Sequence, residues 1–231
     1  MIEGRSVVAV VVARGGSRRL PRKNLLPFAG RTVVGHKVWQ LGQVPGVDLV
    51  VVGSDDDEIL AEGRRYGALG MVNDGEYATS NDMLADMAAR VSGDVVLWAH
   101  PTNPLVSPAT YARALAQFFA SKDVFDSLVS VYRMQRHAWM GGLPLNYNPR
   151  AKVHPLARDC APIFFQDGAI FIQPREQMAR NRYFFGESPL LFEMPEAEVV
   201  DIDTRADYEL LLRMVAPGAL AGVALALQGV N

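Results

Sequence analysis

The residues best suited to chemistry in this chain form a glycine-rich, cationic loop directly after an apolar run. The run is Val7–Val12, and the loop reads Ala-Arg-Gly-Gly-Ser-Arg-Arg-Leu-Pro-Arg-Lys-Asn over residues 13–24. Five of its residues are Lys or Arg. Paired glycines let a backbone approach a ligand with its N–H groups turned inward, and cations attract phosphate. The loop is therefore predicted to hold the polyphosphate of a nucleotide.

The spacing within this opening loop differs from two common phosphate-binding motifs. Its glycines do not follow Gly-x-Gly-x-x-Gly, and Pro21 prevents a helix from starting directly after them, which argues against a dinucleotide site. No Gly-Lys-Ser/Thr ends the loop, so it is not a P-loop. Two interpretations remain: a solvated surface loop, or a loop that wraps a nucleoside triphosphate. The coincidence of glycines, cations and a strand end favours the second.

A second candidate site lies near the end of the sequence, where Asp201 and Asp203 alternate along a predicted strand over residues 199–202. Side chains two apart on a strand share a face, and two carboxylates on one face repel unless a cation or water separates them. Mg²⁺ prefers oxygen ligands and neutralises a triphosphate. We expect the pair to hold Mg²⁺; the alternative is a solvated strand end in which Asp203 caps the next helix.

The acidic run Ser-Asp-Asp-Asp at residues 54–57 is a third group of carboxylates. Carboxylates at a helix start accept hydrogen bonds from its free amides and oppose its dipole. We interpret this run as a helix cap rather than as a second metal site.

The elements that must position these residues alternate between strand-like and helix-like patterns. Apolar runs predict strands at residues 7–12, 49–52, 69–72, 95–98, 127–131, 169–172 and 199–202. Mixed apolar and polar spacing predicts helices at residues 33–43, 56–66, 82–91, 107–121 and 205–215. Ser107 is the expected N-cap of the fourth helix, with Pro108 at its first position. This alternation predicts an α/β fold with a doubly wound, mostly parallel sheet.

Residues 132–164 interrupt the alternation, because Pro, Gly, Asn, Arg and His are dense there and no helical period persists. We expect an extended hairpin or lobe inserted into one domain that spans residues 1–231. His137, Trp139, Tyr147 and His154 lie in this lobe. A dimer interface or lobe core is favoured for them over a ligand pocket.

Composition limits the partners of the chain. The net charge of −2 over 231 residues argues against nucleic acid, so the local cations of the loop indicate a small anionic ligand. No apolar stretch is long enough for a membrane span, and the N-terminus lacks a signal-peptide pattern, so no membrane partner is expected. The single cysteine, Cys160, excludes an intrachain disulfide and agrees with a cytoplasmic location.

The opening loop resembles the signature loop of the CMP-sialic acid synthetases, also called acylneuraminate cytidylyltransferases, which runs Ala-Arg-x-x-Ser-Lys-Gly-x-x-x-Lys-Asn. Three further blocks are similar to blocks of that family: Pro-Thr-Asn-Pro-Leu at 101–105, Asp-Gly-Ala-Ile-Phe-Ile at 167–172 and Asp-Ile-Asp-Thr at 201–204. The four blocks stand in the order of the family and span nearly the whole chain. One block would be weak evidence, but the ordered set is specific.

The resemblance implies a Rossmann-like nucleotidyltransferase fold and a Mg²⁺-dependent transfer of CMP from CTP to a nonulosonic, sialic-acid-like sugar acid. In that family the anomeric hydroxyl of the acceptor attacks the α-phosphorus in line and pyrophosphate leaves, so catalysis consists of positioning and charge stabilisation. The resemblance also implies a homodimer, in which residues 132–164 reach the partner subunit.

The resemblance assigns roles to residues of this chain. The expected catalytic residues are Lys23, Arg14 and Asp203, and the expected metal ligands are Asp201 and Asp203. The expected nucleotide-binding residues are Arg14, Gly15, Gly16, Ser17, Arg18, Lys23, Asn24 and Ser80. The expected acceptor-binding residues are His100, Thr102, Asn103, Gln166 and Asp167.

The chain departs from the family at positions that concern specificity. His100 replaces a Gln, and it is either a structural histidine or an acceptor contact. Asn73 replaces an Arg that helps to read cytosine, Val106 replaces an Arg, and Phe165 stands where some members carry an acceptor-binding Arg. Arg18 replaces a Lys, which keeps the charge but changes the geometry.

Because of these departures, the sequence does not determine which base or which acceptor the protein uses. The acceptor is a modified nonulosonic acid, an eight-carbon ulosonic acid or a phosphonate. Two other functions remain as alternatives: a nucleotide-sugar glycosyltransferase, which also uses an Asp-x-Asp pair, and a nucleotide-binding relative that has lost its acceptor site.

Overall fold

The Val-rich run at residues 7–12 is an inner strand of a seven-stranded sheet in the computed structural model, which describes residues 1–73 and 77–215. The strands of this described part are β1 Val7–Val12, β2 Pro27–Phe28, β3 Arg31–Thr32, β4 Leu49–Ser54, β5 Leu69–Val72, β6 Val95–Ala99, β7 Ser127–Met134, β8 Trp139–Met140, β9 Leu143–Pro144, β10 Ile163–Pro174 and β11 Pro189–Glu193. Its α-helices are α1 Val33–Gly42, α2 Asp57–Arg65, α3 Ser80–Arg90, α4 Pro108–Ser121, α5 Arg175–Asn181 and α6 Arg205–Met214.

The large sheet has the strand order β11-β7-β10-β6-β1-β4-β5. Its neighbours pair in parallel, except that β10 is antiparallel to both β6 and β7. The chain moves from β1 outward to β4 and β5, and then crosses back to β6 on the other side of β1. Ligands of such sheets bind at the carboxyl ends of the strands where the order reverses, here β1 and β6.

Both faces of the sheet are buried under helices. On β1, Val7, Ala9 and Val11 pack into the cluster that contains the apolar sides of α1, α2 and α4, while Val8 and Val10 face α3 and α5. A strand buried on both faces needs a continuous apolar run, which explains the Val-rich sequence. The predicted α/β class with a doubly wound, mostly parallel sheet is confirmed.

Side-chain caps explain where most of these helices begin. The N-cap side chains that accept a hydrogen bond from a first-turn N–H are Thr32, Asp56, Thr79, Ser107 and Thr204. The predicted Ser107 cap with Pro108 at the first position is confirmed. Asp56 accepts from the N–H groups of Glu58 and Ile59, which confirms the helix-cap interpretation of residues 54–57.

The predicted strand at residues 199–202 is wrong. This segment follows a 3-10 turn at Glu196–Glu198 and is attached to the end of β6 through a hydrogen bond from Ile202 N to Thr102 O, 2.8 Å, without a strand ladder. Helix α5 and edge strand β11 were not predicted, and neither was the short β2–β3 hairpin. Proline, glycine and aromatic residues between positions 174 and 189 obscure the periodicity of α5 and β11.

The segment predicted as a lobe, residues 132–164, consists of the outer ends of β7 and β10, the small β8–β9 hairpin and a 3-10 turn at Ala157–Asp159. β10 leaves its pairing with β6 at Ile170 and continues along β7 as far as Ile163. The lobe therefore projects from the carboxyl edge of the sheet. Among the described residues, no helix is long and apolar enough to span a bilayer.

Candidate functional site

Four separate segments meet at the carboxyl edge of β1, β4 and β6. The opening loop follows β1, and the acidic run follows β4. The loop that follows β6, residues 100–106, carries the second of the four blocks, and residues 199–203 pass beside it. This edge is the place where a doubly wound sheet binds its ligand.

The opening loop is fastened at both ends. Asn24 is buried, and its Nδ2 donates to the carbonyl oxygen of Arg14 at 3.0 Å, which closes the loop across ten residues. The Oδ1 atom of Asn24 is buried and has no hydrogen-bond partner within residues 1–73 and 77–215. Arg22 adopts a left-handed conformation, with φ of 53°, directly before the 3-10 turn Lys23–Leu25. These contacts hold the cations of the loop around a fixed backbone path.

The two glycines of the loop differ in their surroundings. A Cβ atom on Gly15 would lie 2.6 Å from Asp56 Oδ2, whereas one on Gly16 would meet nothing within 4 Å. The N–H of Gly15 donates to Asp55 Oδ1 at 2.9 Å. Gly15 is therefore required for the close approach of the acidic run, while Gly16 faces open space.

The acidic run contacts the opening loop as well as capping α2. Arg22 contacts Asp56 at 3.5 Å and Glu58 at 2.5 Å. Sequence reasoning missed this second role. The sequence signal for this role was the run of three carboxylates directly after β4, because β4 lies next to β1 and the opening loop follows β1.

The cations of the opening loop converge on the segment that carries Asp201 and Asp203. Lys23 Nζ donates to the carbonyl oxygen of Ile202 at 2.7 Å and lies 3.4 Å from Asp203 Oδ1. Arg19 Nη2 donates to the same carboxylate oxygen at 2.8 Å. The structure thus brings together two sites that are about 180 residues apart in sequence. Arg19 is a second cation here that sequence reasoning did not single out.

Asp201 and Asp203 are close enough to affect each other. Burial raises the pKa of Asp201 above its ordinary value, and repulsion by Asp203 adds to the rise, against the hydrogen bond of Thr102 and the charge of Lys23. Asp207 Oδ2 accepts from the backbone N–H of Asp203 at 3.1 Å and so fixes that residue. A bound cation would relieve the repulsion between the two carboxylates.

The donor set of this pair suits Mg²⁺. Within residues 1–73 and 77–215, no cluster of three or more His, Cys, Asp or Glu side chains has the arrangement of a metal site. Two carboxylates with further oxygens from phosphate and water are the usual donor set of protein-bound Mg²⁺. Asp201 and Asp203 could hold the ion in this way.

His100, a predicted acceptor contact, directly follows β6. Its Nδ1 is 2.5 Å from the carbonyl oxygen of Gly168, and its ring contacts Phe171 and Phe184 edge-on. Gly168 has φ of 76°, a conformation that favours glycine, and this turns its carbonyl toward the ring. Burial lowers the pKa of His100 against the Gly168 contact and the charge of Asp201, which favours the neutral ring.

Three other predicted acceptor residues, Thr102, Asn103 and Asp167, lie near His100. Asn103 is buried, and its Nδ2 donates to the carbonyl oxygens of Val200 at 3.3 Å and Asp167 at 3.5 Å. Ser130 Oγ donates to Asp167 Oδ1, while Asp167 Oδ2 is buried with no partner among the residues that the structure describes. Thr102 accepts from Ile202 N through its carbonyl. The second, third and fourth blocks therefore share one hydrogen-bond network.

The remaining predicted residues are more scattered. Arg14 and Arg18 are exposed on the opening loop, and Ser17 N donates to Gly15 O. Ser80 is exposed at the first position of α3. Gln166 is exposed on the projecting part of β10, where it pairs with Val131 of β7.

The positions that depart from the family pattern have three different environments. Asn73 is buried at the end of β5, with Oδ1 unpartnered in the described part of the chain. Val106 is fully buried in the main core. Phe165 is exposed and stacks on Tyr132 with a centroid distance of 5.3 Å.

A comparison with protein families matches residues 8–214 to the model described as cytidylyltransferase. The chain belongs to the cytidylyltransferase family. The family resemblance drawn from the four sequence blocks is confirmed, and the chain is a nucleotidyltransferase. The alternative of a nucleotide-sugar glycosyltransferase is wrong.

Two relatives of this cytidylyltransferase match along most of their length. The pseudaminic acid cytidylyltransferase of Campylobacter jejuni is 26% identical over 215 residues, covering 87% of this chain and 93% of the relative. The CMP-N,N'-diacetyllegionaminic acid synthase of Legionella pneumophila is 29% identical over 229 residues, covering 90% of this chain and 96% of the relative.

A solved structure of CMP:2-keto-3-deoxy-manno-octonic acid synthetase complexed with CTP has the same fold as this cytidylyltransferase. The TM-score is 0.70, with 19% identity, and the match covers 92% of this chain and 99% of that one. At this identity the likeness concerns the fold, and it agrees with the seven-stranded α/β sheet described above.

Proposed function

We propose that this cytidylyltransferase transfers CMP from CTP to the anomeric hydroxyl of a nonulosonic acid in a Mg²⁺-dependent reaction that releases pyrophosphate. The observation that carries the proposal is the convergence of Lys23 and Arg19 on the segment of Asp201 and Asp203. Phosphate-binding cations beside a carboxylate pair form the charge pattern that nucleotidyl transfer requires.

On the nucleotide side, the opening loop would bind the triphosphate through its cations and amides. Lys23 is the best placed cation, because it is only 14% exposed and is held against the backbone of Ile202. Arg14 and Arg18 are exposed on the same loop and free to move toward phosphate oxygens. Their charges would stabilise the negative charge that develops on the pyrophosphate leaving group.

Asp201 and Asp203 would hold the Mg²⁺ ion. When bound, the ion neutralises phosphate oxygens and polarises the phosphorus centre. The hydrogen bond from the backbone N–H of Asp203 to the Asp207 carboxylate, together with the bond from Ile202 N to Thr102 O, keeps both carboxylates beside the loop that follows β6. The protein's part is therefore to present the two carboxylates in a fixed position.

On the acceptor side, His100 would receive a hydrogen bond from a sugar hydroxyl. A carbonyl oxygen can only accept, so the Nδ1 atom next to Gly168 carries the ring proton. In the neutral ring that burial favours, Nε2 is then an acceptor. Asn103 and Asp167 would line the same side of the site.

The names of the two relatives support a nonulosonic acid as acceptor. One is named for pseudaminic acid and the other for N,N'-diacetyllegionaminic acid, and both match nearly the full chain. The Phe165 departure supports an acceptor that is bound with fewer cationic contacts than in those members of the resembled family that carry an Arg at this position.

The test is a matrix of pyrophosphate-release assays. Each of the four nucleoside triphosphates is combined with nonulosonic acids, an eight-carbon ulosonic acid and a phosphonate, with Mg²⁺ or with EDTA. We expect turnover with CTP and a nonulosonic acid that EDTA abolishes and Mg²⁺ restores. Turnover only with another acceptor class would overturn the acceptor assignment. Tight CTP binding without turnover on any acceptor would identify a non-catalytic relative.

The proposal includes a homodimer formed through the lobe at residues 132–164. Its apolar side chains are unusually exposed: Trp139 59%, Met140 67%, Leu143 71%, Leu145 48%, Val153 78% and Leu156 52%. Exposed apolar side chains that are concentrated in one segment support a role of that segment in an interface. The proposal also includes a cytoplasmic location, which the single free cysteine, Cys160, supports.

A further inference from the structure

Helix α1 places a lysine in the interior of the protein, directly beneath the loop at residues 100–106. Lys37 has no exposed surface, although lysine is rarely buried without a charged partner. Its Nζ donates to the carbonyl oxygen of Asn103 at 2.8 Å and is 2.7 Å from the hydroxyl of Tyr111 on α4. The lysine therefore joins two helices to the acceptor-side loop.

Burying this amine is costly. Burial lowers the pKa of Lys37 to about 7, and the charge of Glu198 only partly opposes that shift. Sheet packing does not require the amine, since an apolar side chain of similar length would fill the same space. A buried polar group with such a cost needs a specific role, and the hydrogen-bond partners of Lys37 indicate what that role is.

Asn103 is the residue through which Lys37 reaches the candidate site. The backbone of Asn103 accepts from Lys37, and its side chain donates to the carbonyl oxygens of Val200 and Asp167. Val200 directly precedes Asp201, and Asp167 directly precedes Gly168, the partner of His100. Orientation of Asn103 thus sets the relative positions of three of the four sequence blocks.

We propose that Lys37 is a positioning residue that orients Asn103 and, through it, the acceptor side of the site. The inference rests on the proposed function. It concerns the acceptor and not the nucleotide, because the opening loop is fastened separately by Asn24 and Arg14, and the segment of Asp201 and Asp203 keeps its own contacts to Lys23 and Asp207. Loss of the Lys37 amine should therefore weaken acceptor binding and leave CTP binding unchanged.

Gln40 provides a matched control one turn further along α1. It is also buried, and its Nε2 donates to the carbonyl oxygen of the next loop residue, Pro104, at 2.7 Å. Pro104 differs from Asn103 because its side chain has no hydrogen-bond donor. The contact of Gln40 with Pro104 is therefore not linked to Val200 or Asp167. Lys37→Met and Gln40→Met each remove one buried donor to the same loop, but only the first acts on Asn103.

The experiment measures the acceptor KM by pyrophosphate release and the Kd for CTP by calorimetry in the absence of acceptor. In Lys37→Met we expect the acceptor KM to rise about tenfold while the Kd for CTP stays within about twofold. In Gln40→Met we expect both values within about twofold of wild type. Amide hydrogen exchange should become faster in residues 102–106 of Lys37→Met and stay unchanged in residues 13–24.

Several results would overturn the inference: an unchanged acceptor KM in Lys37→Met, an equal rise in the Kd for CTP, or the same acceptor defect in Gln40→Met. If Lys37→Met does not fold, the Tyr111→Phe variant tests the inference instead, because it removes the second hydrogen-bond partner of Lys37. This variant should raise the acceptor KM about threefold. An unchanged KM in that variant rejects the inference. Absence of turnover by the wild type instead rejects the proposed function, and this inference with it.

Discussion

Lys23 donates its ammonium group to the backbone carbonyl of Ile202 at 2.7 Å, which ties the loop after the first strand to the segment before the last helix. The same nitrogen lies 3.4 Å from Asp203. A cation that is largely buried and fixed by a carbonyl keeps its position without a ligand. Such preorganised charge needs no rearrangement when negative charge develops on a phosphate.

Replacing Lys23 by Met should lower kcat by about 100- to 1,000-fold, the range found when one preorganised charge-stabilising group is removed. Single-turnover pyrophosphate release with saturating CTP and acceptor measures the effect. Lys122→Met is the control, because Lys122 pairs with Glu3 away from the site at 2.5 Å. A Lys23→Met enzyme with wild-type kcat would show that Lys23 is only a structural contact.

The two glycines of the opening loop should respond to alanine in opposite ways. Gly15→Ala places a Cβ atom 2.6 Å from Asp56 Oδ2. Asp56 cannot easily move, because it caps α2, so we expect a loss of about 1–3 kcal/mol in the free energy of unfolding. Gly16→Ala meets no atom within 4 Å and should stabilise by about 0.4–1 kcal/mol through the unfolded chain. Urea denaturation measures both, and equal effects would contradict the described loop geometry.

His36 should make the protein less stable as the pH falls below about 6.5. Burial, assisted by the charges of Lys37 and Arg31, lowers the pKa of His36 to about 4 in the folded chain. Between these pH values the unfolded chain binds a proton that the folded chain does not, so stability is lost on acidification. The loss reaches at most about 3 kcal/mol.

The measurement for His36 compares the free energy of unfolding at pH 7 and pH 4.5 in wild type and in His36→Phe. Carboxylates contribute to the pH dependence of both proteins alike, so the difference between them isolates the histidine. We expect the variant to lose about 2 kcal/mol less than wild type between the two pH values. Identical losses would show that His36 accepts its proton in the folded state.

An acidic substitution on the lobe should separate the proposed dimer. Leu143→Glu puts a charge on a side chain that is 71% exposed at the end of the β8–β9 hairpin. Analytical ultracentrifugation should then show a monomer where wild type is a dimer. Leu210→Glu, at a 55% exposed leucine of α6, is the control and should leave the mass unchanged. A wild-type monomer at all concentrations would contradict the proposal.

The fold was predictable where apolar periodicity is strong, as in β1 and in α4 with its Ser107 cap. The segment at 199–202 was mistaken for a strand because its Val-Val-Asp-Ile pattern alternates, although its position is set by single contacts such as Ile202 to Thr102. Local patterns cannot reveal pairings between residues far apart in sequence.

The same limit applies to the candidate site. The glycines, Lys23 and the Asp201–Asp203 pair were found because their types and order are distinctive. The bond from Gly15 to Asp55 and the pairing of Arg19 with Asp203 depend on which strands become neighbours. Lys37 was not identified from the sequence either. A lysine in a helical pattern is normally predicted to be exposed, and only the packing of α1 shows that this one is buried.

Strand β10 connects the exposed lobe directly to the core of the protein. It is one continuous twelve-residue element whose outer end lies in the exposed lobe and whose inner end lies in the core. Gly168, the partner of His100, sits at the irregularity between these halves. A partner that binds the lobe would contact the outer part of β10, and a tilt of that part about the irregularity would displace the Gly168 carbonyl oxygen. In the proposed dimer, one strand would therefore join the subunit interface to the residue that contacts His100.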